Sequence, residues 1–218
     1  MWSNIVFRVA TIADRCEIHK LFAEYFYQYE PFNVGWINDE VVIEDRETIL
    51  DLINQNMSIV AIDKDTNCIV GASICNVETP DEVHVMKEEA ERTTNRKWSQ
   101  YLQLFIRIAS ESNIFERFNV KEIFYINEMA VNANYRNQSI GTKLMEKCHQ
   151  LGTSLGYKIC SVNCSSVYTE RIAVKLGMEC MSAIAMDSVM DEKGERLIYP
   201  PAPHTHIRTF AKLLYNDD

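Results

Sequence analysis

No uninterrupted apolar run in the sequence approaches the ~18 residues that a bilayer-crossing helix needs. Met1 to Ala10 mixes charged and polar residues where a secretory leader would carry its apolar stretch. A soluble, cytoplasmic protein with no membrane partner is therefore expected. Cysteine pairing is also missing. The seven cysteines, at positions 16, 68, 75, 148, 160, 164 and 180, are odd in number, scattered and never spaced C-x-x-C. That pattern fits reduced, buried thiols and not a disulfide framework. Positive charge is in deficit, with 22 Lys and Arg against 31 Asp and Glu and a formal charge of -9. A field of that sign repels phosphate at long range, so no nucleic acid is expected as a partner. Neither G-x-G-x-x-G nor G-x-x-x-x-G-K-[ST] occurs, so the dinucleotide and Walker readings lack their residues. Repeats and low-complexity segments are absent too.

What is present is ordinary globular material: 218 residues, 47% hydrophobic and 24% charged, with no composition shift that reads as a linker. One domain spanning 1–218 is expected. Ile5 to Ala10 reads as a first strand. Asp14 is placed to cap a helix running to about Tyr29, with Ile18, Leu21, Phe22, Tyr25 and Phe26 on one stripe and Glu30-Pro31 as its stop. Glu44 to Gln55 reads as a short helix, and Ile59–Ile62 with Ile69–Val77 as a hairpin. Residues 78–97, polar with an early Pro80, read as a solvated loop or a frayed helix. A helix over Trp98 to Ser112 follows, then a strand over Ile123 to Val131 and a helix from Gly141 to about Leu155. After these come a strand over Ile159–Asn163, a helix over Val167–Leu176 closed by Gly177, a strand over Cys180–Met186 and a last apolar segment, Ile207–Tyr215. Interleaving of this kind implies one mixed α/β sheet with helices on both faces.

The most informative stretch is Met129 to Thr142, where a strand ends, a short polar loop follows, and a helix opens on Ile140-Gly141-Thr142. Unpaired N–H groups and the dipole at a helix N-terminus favour an anion, and small residues let a phosphate approach. Arg136 would add a charged donor at the rim. On pattern alone, an ordinary strand-to-helix loop with a Gly near its end is an equally open reading. Tyr135-Arg136-Asn137-Gln138-Ser139-Ile140-Gly141 resembles the [Q/R]-x-x-G-x-[G/A] acetyl-CoA loop of the GNAT N-acetyltransferases. Arg136 matches the first position and Gly141 the last, while Ser139 stands where the family has Gly. A Ser keeps its backbone N–H, so binding is expected to survive there if its φ is negative. Further matches are Glu30-Pro31 after an aromatic helix end, Cys164-Ser165-Ser166-Val167-Tyr168-Thr169, Lys175-Leu176-Gly177-Met178 and Pro201-Ala202-Pro203-His204. These fall in the order and spacing of the insect arylalkylamine N-acetyltransferases.

The resemblance implies the GNAT fold, an α/β architecture with a single mixed, mostly antiparallel sheet flanked by helices on both faces. It implies acetyl-CoA as cosubstrate, held by Met129, Ala130, Val131, Arg136, Asn137, Gln138, Ser139, Ile140, Gly141 and Thr142. It implies acetyl transfer, by a monomer, to a small arylalkylamine of the dopamine, tyramine, octopamine or serotonin class, through direct attack in a ternary complex. Such an amine has a pKa near that of Lys, ~10.4, so about one molecule in a thousand is nucleophilic at pH 7. A base has to take its proton, and the departing thiolate calls for an acid.

Glu30 matches the subfamily's catalytic Glu-Pro and is the candidate base, acting through water. From the residues alone it is a helix-ending acid whose aromatic neighbours would raise its pKa. Ser165 and Thr169 match the two Ser positions used beside that Glu, although a hydroxyl ahead of Val167 also reads as a helix cap. The family's usual Tyr acid falls on Ala173 and is not carried over. Tyr29, Pro31 and His204 are assigned to the amine pocket, with Tyr25, Phe26, Tyr27, Phe32 and Trp36 as further aromatic candidates. His204 and His206 lack Cys or carboxylate neighbours at ligand spacing, and no metal is expected. The acidic stretch 36–95 is expected to line the entrance of a cationic substrate. Two rivals stay open: the same fold acting on a polyamine, agmatine, a hydrazine or a longer acyl-CoA, and a CoA-binding interaction module without catalysis.

Overall fold

Runs of β-branched residues become strands, and the apolar stripes between them become helices that cover the sheet. A computed structural model describes residues 4–36 and 50–214. The strands are β1 (Ile5–Val9), β2 (Ile59–Asp63), β3 (Cys68–Glu78), β4 (Ile123–Val131), β5 (Ile159–Cys164), β6 (Glu179–Ala185) and β7 (His206–Leu213). The helices are α1 (Arg15–Tyr25), α2 (Pro31–Gly35), α3 (Glu82–Arg92), α4 (Arg96–Ser112), α5 (Ile114–Phe118), α6 (Ile140–Ser154) and α7 (Val167–Lys175). The strands form one open sheet in the order β1-β2-β3-β4-β5-β7-β6. Every neighbouring pair is antiparallel except β4 and β5, which α6 connects as a parallel crossover.

Both faces are covered. On one, Ile140, Leu144, Met145 and Cys148 of α6 pack on Ile59, Phe124, Ile126 and Val162. On the other, Ile18, Leu21 and Phe22 of α1 meet Val60, Ile62, Ala72 and Ile74, while Leu104 and Ile108 of α4 meet Ile184 and Ile207. The cysteines are all free; Cys75, Cys148, Cys160 and Cys164 are buried, and Cys16, Cys68 and Cys180 are exposed. No helix among the described residues is long and apolar enough to cross a membrane.

Several local expectations change. Helix α1 stops at Tyr25, and Pro31 opens α2 instead of ending α1. Its fixed φ and missing N–H cost nothing at the first helical position. Asp14 precedes α1 but does not cap it. Its carboxylate takes Arg8 through both oxygens, each at 2.7 Å, together with the Thr11 N–H. The segment 78–97 holds a formed helix, α3, because Trp98 of α4 donates to Glu89 at 2.6 Å and Ser99 to the Ala90 carbonyl. Of the helix expected over 44–55, residues 44–49 lie outside the described ones, and Leu52–Gln55 form one 3-10 turn. Tyr215, at the end of the last expected segment, also lies outside them.

Two irregularities position the site. Ile74 pairs with Glu128 and Cys75 with Ile126, so Asn127 is an extra residue bulged out of β4. The β4–β5 pairing runs from Phe124–Cys160 to Ile126–Val162 and stops there, although β4 continues to Val131 and β5 to Cys164. The sheet therefore parts between these two strands, leaving main-chain groups on the edge of β4 without a strand partner.

Candidate active site

A cavity of about 1100 Å³ opens where β4 and β5 part. That is at the top of the usual ~300–1,000 Å³ range for small-molecule sites, which suits two ligands held side by side. One side is the strand-to-helix loop. Met129, Ala130, Val131, Arg136, Asn137, Ser139, Ile140, Gly141 and Thr142 all line the cavity, whereas Gln138 is exposed and does not. Gln138 lies between Asn137 and Ser139, both left-handed at φ 61° and 56°. The condition of a negative φ at Ser139 is thus not met: this residue adopts the conformation that the family's Gly takes freely.

A left-handed non-glycine residue costs roughly 1–2 kcal/mol, part of which glycine's extra unfolded-state freedom offsets. Ser139→Gly is therefore expected to raise stability by about 0.5–1 kcal/mol, read as a Tm gain of ~1–4 °C. An unchanged or lower Tm would show that the Ser side chain contributes something its backbone loses. Gly141 is needed for a different reason. A Cβ there would lie 3.1 Å from Ile172 Cδ1, so the helix mouth and α7 are in close contact.

The opposite wall comes from α2. Glu30 is its N-cap, with Oε2 accepting from the Asn33 N–H at 2.6 Å. Its Oε1 accepts a short hydrogen bond from the Ser165 hydroxyl, across 135 positions of sequence. Burial pushes the Glu30 carboxyl above its ordinary range, partly offset by the Ser165 hydroxyl and the amides of Asn33 and Phe32. Ser165 is available because the neighbouring Ser166 caps α7, accepting from the Tyr168 N–H at 3.2 Å. Thr169 stands inside the first turn of α7 and lines the cavity without capping. The cap and the partner of Glu30 are thus adjacent but distinct serines.

Tyr29, Pro31 and His204 also line the cavity. Tyr29 is 61% exposed, and the Arg136 guanidinium lies 5.8 Å from its ring centre, a cation–π contact joining the two walls. His204 is buried, and its Nδ1 accepts from the Val167 N–H at 3.2 Å at the start of α7. Burial lowers its pKa, which keeps the ring neutral, with its remaining hydrogen on Nε2. Among the described residues no group of three metal-binding side chains occurs.

Residues on α4, which sequence reasoning did not connect to the site, form its aromatic side. Phe32 is 5.1 Å from Tyr101 and 4.9 Å from Trp36, and Tyr101 stacks on Phe105 at 4.6 Å. Tyr125, Glu128 and Asn163 reach the cavity from the sheet. No local signal marks these positions, because helical spacing makes Tyr101 and Phe105 look like ordinary core. Of the acidic stretch 36–95, residues 37–49 lie outside the described ones; of the rest, Trp36 lines the cavity and no residue of 50–95 does, and among the described residues the lining carboxylates are Glu30 and Glu128.

The family model "Acetyltransferase (GNAT) family" matches residues 16–176. Solved structures resemble the whole chain. A mosquito arylalkylamine N-acetyltransferase like 5b is 30% identical, covering 96% of this chain and 100% of its own, with a TM-score of 0.90. A Drosophila melanogaster polyamine N-acetyltransferase that forms N-acetylagmatine is 27% identical, covering 97% and 100%, with a TM-score of 0.89. Arylalkylamine N-acetyltransferase 2 from Aedes aegypti, at 20% identity and a TM-score of 0.89, shares the fold. With its seven-stranded sheet, its split between β4 and β5 and its strand-to-helix loop, the chain belongs to the GNAT acetyltransferase family and uses acetyl-CoA as cosubstrate.

Proposed function

We propose that this acetyltransferase acetylates the primary amine of a small arylalkylamine by direct attack within a ternary complex, with Glu30 as general base. The observation that carries the reading is the hydrogen bond from Ser165 to Glu30, in the same cavity as the Arg136 loop. A carboxylate held in a half-buried pocket is more basic than one in water and is better matched to a proton transfer near pH 7. Ser165 holds Glu30 in place, and the Asn33 amide fixes its second oxygen. Main-chain N–H groups on the free edge of β4 supply donors for charge that develops on the thioester oxygen. The loop from Arg136 to Thr142 holds the cofactor's phosphates through amides and one guanidinium, so a net charge of -9 is no obstacle. The ring of the amine stacks among Phe32, Trp36, Tyr101 and Phe105.

Ser165→Ala is expected to lower kcat/KM by ~10–100-fold and to move its acid limb to higher pH. The sign follows from the hydroxyl, which stabilises the ionised carboxylate. Without it the pKa of Glu30 rises further, and the base is lost earlier as pH falls. An acid limb that moves downward, or does not move, would remove Ser165 from this role.

A second reading has one observation in its favour. Glu128 lines the cavity as another carboxylate, and a diamine or agmatine would use it. Thiol release from acetyl-CoA, measured against tyramine, dopamine, serotonin, agmatine, putrescine and a hydrazine, decides between them. Faster turnover of the aromatic amines supports the first reading and faster turnover of the aliphatic ones the second. CoA binding without turnover of any of them would mean an interaction module.

A further inference from the structure

Tyr125, Asn163 and Thr209 form a polar group on one face of the sheet. Tyr125 pairs with Ser161 across β4 and β5, and Asn163 pairs with Thr209 across β5 and β7. Because side chains alternate along a strand, Tyr125, Ser161, Asn163 and Thr209 share one face, beneath α4. Tyr125 is 5% exposed and Thr209 2%, depths at which polar groups are hydrogen-bonded or held ready for a ligand. The Thr209 hydroxyl donates to Asn163 Oδ1 at 2.8 Å. This fixes the amide beside the Tyr125 hydroxyl, which Asn163 stabilises through both its side chain and its backbone. Tyr125 lines the cavity and is placed to offer its hydroxyl to a ligand there. Burial holds this phenol well above its ordinary range, so it remains a donor at any working pH.

The group lies at a useful distance from the reacting end. Asn163 is two residues before Ser165, which places it about 7 Å along the strand from the partner of Glu30, and Tyr125 lies on the next strand opposite Ser161, two residues further back along β5. An amine joined by two carbons to an aromatic ring spans a comparable length. The space between is bounded by Phe105, Ile108 and Ile207, which suit a ring. Glu78, diagonal to Tyr125 across β3 and β4, does not line the cavity, and its carboxyl is pushed up to about 8 by burial and by Glu82. Glu128, which lines the cavity as Glu30 does, lies toward Tyr27, whose hydroxyl is 3.4 Å from it.

We propose that Tyr125 and Asn163, braced by Thr209, are specificity-determining residues that hydrogen-bond a hydroxyl on the far side of the substrate's ring. The enzyme then selects hydroxylated arylalkylamines over unsubstituted ones. This rests on the arylalkylamine reading above and adds the position and chemistry of one subsite. An unsubstituted ring leaves the subsite's donors and acceptors unpaired in a dry pocket, and that loss sets the discrimination.

The test compares kcat/KM for tyramine and phenethylamine, which differ only in the ring hydroxyl. Wild-type enzyme is expected to favour tyramine by at least about tenfold. In Tyr125→Phe the ratio is expected to fall to within about threefold, because the hydroxyl loses its main donor. Thr209→Val, which removes the brace and not the contact, is expected to give an intermediate ratio. Thermal melts and acetyl-CoA binding establish that each variant is folded. Equal wild-type efficiency on the two amines, or an undiminished ratio in a folded Tyr125→Phe or Thr209→Val, would overturn the subsite while leaving the arylalkylamine reading intact. If the wild type turns over agmatine or putrescine and neither arylalkylamine, the reading itself fails and the subsite with it.

Discussion

Glu30→Gln is expected to cut kcat/KM for the amine by ~10²–10⁴ while leaving acetyl-CoA affinity within about twofold. The substitution suits the question because it keeps the shape of the site. A Gln oxygen still accepts from the Asn33 N–H at the cap of α2, and its amide still meets the Ser165 hydroxyl. What disappears is the negative charge and the capacity to take a proton. Wild-type kcat/KM is expected to show an acid limb above the ~4.3 of an unperturbed Glu, because burial raises Glu30 and the base is lost as pH falls through that higher value. The Gln variant is expected to lose that limb along with the rate.

Stability is expected to move the other way. A carboxyl with a raised pKa binds its proton more tightly folded than unfolded, so its contribution to stability is lost as pH rises from the unfolded value through the folded one. Removing the charge at pH 7 is expected to raise Tm, as befits a group held in place for activity against its own solvation. A variant with wild-type turnover would refute the base assignment, and one with lower Tm would refute the burial argument.

Gly35→Val is expected to destabilise the protein by about 3 kcal/mol, lowering Tm by ~6–12 °C, and to cut activity with it. Gly35 ends α2, and its carbonyl accepts from the Tyr199 N–H at 2.6 Å. Next to it, Trp36 bridges Ile198. A Cβ on Gly35 would lie 2.9 Å from both N and Cα of Pro200 and 3.0 Å from the Tyr199 carbonyl carbon, all main-chain atoms that no side-chain rotation moves aside. The added group therefore separates α2 from the 198–204 segment, which carries Pro201 and His204 of the cavity. Chemical denaturation and amine kcat/KM on one preparation check both halves. A Val variant with wild-type stability would mean that the two segments yield freely.

How much of this was legible beforehand differs from element to element. The hairpin of β2 and β3 and the crossover from β4 through α6 to β5 follow from short-range patterning, because alternation, turn residues and a helix opening are local properties. The polar surface of α3 leaves loop and frayed helix equally open, because its order comes from Trp98 and Ser99 of the next helix. Pro31 was read as a stop where it is a start: a proline excludes helix before it and favours helix after it, and only the following contacts decide which matters. The left-handed φ of Ser139 is open in the sequence for a related reason. A non-glycine residue takes that conformation when its surroundings impose it.

For the candidate site, the sequence by itself determined the family, the strand-to-helix loop at the mouth of α6 and the pairing of Glu30 with Pro31. These are signatures carried by a few consecutive residues. Which serine meets Glu30, which one caps α7, and which aromatics face a ligand were decided only by the tertiary structure. Ser165 and Ser166 are chemically identical neighbours, separated by where β5 ends and where α2 lies across the split sheet. Tyr101, Phe105, Tyr125 and Asn163 come together from three separate parts of the chain. Burial, and not local sequence, turns them from core residues into walls of one cavity.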